Sequence, residues 1–166
     1  METAMKILKI ADLVEDPTAP RWLDYPDIPG VRVRLRLPDI PESTKMMGYA
    51  TQSDGVDEAG KPKYRIDWPD YHNRLLHYAV TGWEGLKVEH LALIFPVHKL
   101  KIEGAEPGAE LAFCPENRDF LLGQSSGFFQ WLMNEVQQWD KQLRGQEEQD
   151  KENLSDTPST SPTLTP

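Results

Sequence analysis

The sequence predicts an α+β fold: a small antiparallel sheet in the N-terminal half, helices in the C-terminal half, and a disordered acidic tail. Three observations predict it. Val31-Arg32-Val33-Arg34-Leu35-Arg36-Leu37 alternates apolar and basic residues without a break, the period of a strand with one buried face. Asp67-Trp68-Pro69-Asp70 reads as a helix start, with a capping acid, a proline in the first turn and a carboxylate near the positive end. Phe128, Phe129, Leu132, Val136, Trp139 and Leu143 recur at steps of three and four, which marks a long amphipathic helix.

Taken in chain order, Lys6 to Ile10 fits either a strand or one helical turn. Asp16 to Pro29 contains four prolines and reads as an irregular, packed connection held by Trp22 and Tyr25. The alternating strand follows, bounded by Pro29-Gly30 and Pro38. Gln52 to Pro62, rich in Gly and Asp, reads as a surface loop. From the Asp67 cap, Tyr71, Leu75, Leu76 and Ala79 continue at helical spacing, with Gly82 closing the element. Leu91 to Glu103 reads as a second strand pair flanking Pro96. Pro115-Glu116 opens a short helix that stops at Gly123, and Ser125 or Ser126 caps the last helix, which Gly145 ends.

Beyond this point the composition changes. Of the 22 residues from Gly145 to Pro166, 10 are Ser, Thr or Pro, and Leu154 and Leu164 are the only large apolar ones. Such a segment buries too little surface to offset the entropy of ordering. The sequence therefore divides into a single α+β domain over 1–144 and a disordered tail over 145–166. The chain has 27 acidic and 18 basic residues, a net charge of −9, and the tail holds five of the acids and one lysine. The body is thus only mildly acidic, at −5. This balance argues against wrapping nucleic acid, whose phosphates require a basic surface. No apolar run approaches the ~20 residues of a membrane span, and Met1 to Ile10 lacks a signal-peptide layout, so a soluble intracellular protein is expected. The one cysteine, Cys114, allows no internal disulfide and no cysteine-based metal cluster.

The candidate chemistry is sparse. His72 and His77 stand five apart and miss the four-residue step that places two zinc ligands on one helix face; His90 and His98 belong to no motif. Cys114 precedes a helix, where a thiol is activated, but no base is placed beside it by the sequence. Asp54 to Gly60 lacks the spacing and closing glutamate of a calcium loop, and the glycines form no phosphate cradle. Asp24, Asp27, Asp67 and Asp70 sit where turns and caps use them. No catalytic, cofactor-binding or metal-ligating residues are therefore assigned. Two surfaces are candidates for a protein partner. Arg32, Arg34 and Arg36 form a basic stripe on the outer side of the strand, without the interleaved aromatics of a single-strand binder. Phe128, Trp131 and Trp139 make the last helix dense in aromatic residues, and Trp131 departs from its main apolar stripe.

Four phrases carry a resemblance: Ala11-Asp12-Leu13-Val14-Glu15-Asp16-Pro17; Trp22-Leu23-Asp24-Tyr25-Pro26; Val80-Thr81-Gly82-Trp83-Glu84-Gly85-Leu86; and Phe113-Cys114-Pro115-Glu116-Asn117. Together they resemble the tail assembly chaperones of long-tailed phages and prophages, over about Ile7 to Trp139. In that family a short strand region precedes a helix, a Trp-Glu-Gly turn, and a proline-led entry into C-terminal helices. The resemblance implies a non-enzymatic protein of the host cytoplasm, without cofactors, that holds the tape measure protein soluble and helps the tail tube protein gather around it. It implies no nucleic-acid or membrane partner. A tail-completion or connector protein retained in the virion is the alternative.

Overall fold

The computed structural model describes Ile10 and residues 14–155, with backbone only for 153–155. Its strands occupy the N-terminal half and its longest helix the C-terminal third, the α+β arrangement the sequence predicts. Strand β1 (Arg21–Asp24) pairs antiparallel with β2 (Arg32–Leu35), which pairs on its other side with β5 (Val80–Glu84). The alternation of β2 is the reason it lies in the middle. Val31, Val33, Leu35 and Leu37 are all buried, and full burial of such a side chain contributes about 1.5–3 kcal/mol. On the other face Arg32 lies opposite Asp24 on β1 and Glu84 on β5, its guanidinium 3.4 Å and 3.0 Å from their carboxylates. This exposed trio favours one register more than it adds stability.

Between β2 and β5 the chain makes two helices and a hairpin. Helix α1 (Ile40–Ala50) follows Asp39, whose carboxylate accepts from the Glu42 amide at 2.9 Å. It runs directly into β3 (Thr51–Val56), which pairs antiparallel with β4 (Pro62–Ile66) as a separate two-stranded sheet. The hairpin turn is held by Asp57, whose Oδ1 accepts from the amides of Ala59 and Lys61. Gln52 to Pro62 is therefore not a plain loop. Every residue of β3 is exposed, so its sequence carries no apolar alternation to betray it. Helix α2 (Trp68–Ala79) starts at the Asp67 cap as expected, the carboxylate accepting from the Asp70 amide at 3.1 Å. It ends at Ala79 rather than Gly82, because Val80 passes straight into β5.

Leu91 to Glu103 forms no strand pair. A 3-10 turn (Val88–His90) leads into the short α3 (Leu91–Ile94), and the chain from there to Cys114 is irregular. Leu91, Ile94 and Phe95 turn inward at steps of three and four, with Ile94 and Phe95 buried; this is a helical period within a run too short to declare it. Helix α4 (Pro115–Gln124) then passes through Ser125 into α5 (Ser126–Ser155). Buried Ser125 serves both sides of the junction. Its hydroxyl donates to the Ile94 carbonyl at 3.0 Å and accepts from the Phe128 amide at 3.4 Å.

Helix α5 does not stop at Gly145. Its 30 residues make a rod about 45 Å long at 1.5 Å per residue, and 145–155 continue it. An exposed glycine costs a helix only about 1 kcal/mol. Here it is flanked by Gln, Glu and Lys, which favour helix, and it follows the Asp140–Arg144 ion pair at 2.9 Å. The boundary expected at Gly145 is thus a correction, while 156–166 lie outside the described residues, as do Lys6 to Lys9. Asp16 to Pro29 is corrected too, since Arg21–Asp24 is strand; Tyr25 is buried but Trp22 is 38% exposed. The core gathers the inner face of the sheet, Leu75, Leu76 and Ala79 of α2, Leu121 and Leu122 of α4, and Phe128, Leu132, Met133, Val136 and Trp139 of α5.

Candidate functional site

Two of the phrases that carry the resemblance, Val80 to Leu86 and Phe113 to Asn117, brace the fold. Trp83 is buried and its indole N–H donates to the Leu111 carbonyl at 2.7 Å. Glu84 points outward to Arg32, and Leu86 is buried. Gly85 has φ +74°, and a Cβ there would lie 2.1 Å from the Gly30 carbonyl oxygen; only glycine fits this crossing. Phe113 meets Trp83 edge to face at 4.8 Å, so two distant phrases pack on each other. Cys114 caps α4, with its sulfur 3.5 Å from the Asn117 amide nitrogen, while the Asn117 side chain donates to the Ala112 carbonyl.

Of the residues expected to meet a partner, all but Arg34 are engaged within the chain. Phe128 and Trp139 are buried, at 3% and 7% exposure, and both belong to the core. Half-buried Trp131 lies against Tyr25 at 4.9 Å and Phe128 at 5.9 Å. The aromatic density of α5 is therefore core, and Trp139 is further covered by the Arg21 guanidinium 3.4 Å above its ring. Burial against that ring lowers the Arg21 pKa, with the nearby Glu135 charge opposing. On the sheet, Arg32 is held by Asp24 and Glu84. The Arg36 guanidinium lies 3.9 Å above the Tyr78 ring and its Nε donates to the Tyr78 carbonyl. Arg34 is exposed beside Gly82, where a larger residue would meet both Arg34 and Trp22.

The histidines serve local contacts. His77 Nδ1 is 2.7 Å from the Asn73 carbonyl, and its Nε2 is 3.3 Å from Asp119. His90 Nδ1 accepts from the Lys87 amide, and His98 reaches Gln124 at 3.4 Å. Among the described residues no group of three or more His, Cys, Asp or Glu is placed to hold a metal ion.

What the structure does assemble is an open groove of about 1070 Å³ between α1, α2 and α5 from Met133 to Asp150. Helix α2 packs on both α1 and α5, so it lies between the two other walls. Met47, Tyr71 and Leu143 give the groove apolar surface over a floor of buried Leu75, Met133 and Val136, and Ile40 and Trp68 stand exposed beside them at 84% and 51%. Its carboxylates are Asp16, Asp39, Asp140, Glu147 and Asp150, against the single guanidinium of Arg144. Sequence reasoning missed these residues for two reasons. Helix α1 escaped it, although Asp39-Ile40-Pro41-Glu42 repeats the cap grammar of Asp67-Trp68-Pro69-Asp70. Trp68 shares the α2 stripe with Tyr71 and Leu75, but on the first turn, where half of it stays exposed.

No family model, curated protein or solved structure matches this chain. No helix among the described residues is long and apolar enough to cross a membrane.

Proposed function

We propose that this chain is a tail assembly chaperone of a long-tailed phage or prophage, a binding protein of the host cytoplasm rather than an enzyme. It masks apolar helical surface of the tape measure protein while tail tube subunits gather. The order of the Trp83-Glu84-Gly85-Leu86 and Phe113-Cys114-Pro115-Glu116-Asn117 phrases supports the family. The observation that carries the binding role is the open groove between α1, α2 and α5, with Trp68 and Ile40 exposed at it. Laying an amphipathic helix into an apolar groove is a recurrent mode of protein recognition, and a long helical partner supplies such faces in number.

Co-expression with the tape measure protein tests the reading. Soluble recovery of that protein is expected to rise severalfold when this chain is present, and unchanged recovery overturns the proposal. Mass spectrometry of purified virions separates it from a retained tail component, because a chaperone leaves before the particle is complete.

A further inference from the structure

We infer that the groove between α1, α2 and α5 takes an amphipathic helix whose apolar face is flanked by lysine or arginine. The inference rests on the binding role proposed above and names the chemistry of the occupant. The apolar surface comes from Ile40 and Met47 of α1, Trp68 and Tyr71 of α2 and Leu143 of α5. Charge selects what can cover it. Five carboxylates line the groove against one guanidinium, and that guanidinium, on Arg144, is already held by Asp140 at 2.9 Å. Glu147 and Asp150 stand one turn apart on α5 and form no ion pair among the described residues. An acidic helix or a nucleic acid meets repulsion here, and a basic amphipathic helix meets attraction on top of apolar burial.

A second copy of the chain is a poor occupant on the same ground. The chain carries −9 overall, and no helix among its described residues has a net positive charge. A partner brings the complementary charge; this protein does not bring it to itself.

The test uses the full chain and two synthetic amphipathic peptides with the same apolar face, one flanked by lysines and one by glutamates. The basic peptide is expected to bind roughly tenfold more tightly, with the preference shrinking at high salt. The double substitution Glu147→Lys with Asp150→Lys, both on exposed positions of α5, is expected to abolish or reverse it. Trp68→Ala is expected to weaken both peptides. Equal binding of the two peptides, or a preference untouched by the double substitution, overturns the inference. A concentration-dependent dimer lost on Trp68→Ala gives the groove to a second copy and also overturns it. Carbodiimide cross-links from Lys6 or Lys9 to Glu147 or Asp150, with neither peptide bound, give it to the chain's own N-terminal segment and overturn the inference in the same way. Co-expression separates this inference from the chaperone reading. If the doubly substituted chain still solubilises the tape measure protein, the groove assignment fails and the chaperone role stands. If the unsubstituted chain does not solubilise it but shows the charge-selective peptide binding, the reverse holds.

Discussion

Gly85 allows the sharpest test at a single position. A Cβ there collides with the Gly30 carbonyl, and φ is positive, so Gly85→Ala should cost more than about 2 kcal/mol in urea denaturation. Gly30→Ala has the same backbone sign, but nothing lies within 4 Å of its Cβ, and about 1 kcal/mol is expected. Tyr25 gives a pH signature. Its hydroxyl donates to Asp27 at 3.1 Å, and burial, helped by that carboxylate, pushes its pKa up to about 12 from 10.0. Between those values the unfolded chain has lost the proton that the folded chain keeps, so stability falls as pH rises. The stability gap between the native chain and Tyr25→Phe should therefore be full below pH 10 and close by about pH 12, as measured by denaturation across that range. At this scale the sequence was legible where one chemistry served one purpose, as in the Asp67 cap and the alternating residues of β2. It misled at Phe128 and Trp139, because an aromatic side chain reads the same whether it fills a core or waits for a partner.

Helix α5 combines two different environments. Up to Leu143 its apolar positions pack into the core or against it; beyond Arg144 its residues are exposed as far as Glu152. Gly145 weakens the join, and a Cβ there would meet nothing within 4 Å. Gly145→Ala should therefore favour the outer turns by about 1 kcal/mol and slow hydrogen exchange of amides 146–150 roughly fivefold. Ser125→Ala should cost about 1–3 kcal/mol by leaving the buried Ile94 carbonyl unpaired and α5 uncapped. Elements were legible in proportion to how one-sided their environment is. The half-buried β2 and the front of α5 declared themselves, while the β3–β4 hairpin, exposed throughout β3, left no apolar period to read. Helix α3 spans only four residues, too few for its period to be told from a strand.

At the scale of the molecule, the α+β class followed from strand alternation early and helical spacing late, whereas the groove was invisible. It is made by α1, α2 and α5 from Met133 to Asp150, brought together by folding, and only α2 and α5 as far as Gly145 were legible. The arrangement also separates folding from the recognition proposed for the groove. Trp139→Ala should lower stability by about 3–5 kcal/mol and so reports on the core, whereas Trp68→Ala removes a half-exposed ring and should leave urea unfolding within about 1 kcal/mol of the native chain. Because α5 is both a pillar of the core and a wall of the groove, whatever docks there holds that pillar in its folded form. A ligand present at a hundred times its dissociation constant would add about 2.7 kcal/mol to the unfolding free energy, so a simple melting curve doubles as a detector for the unknown guest.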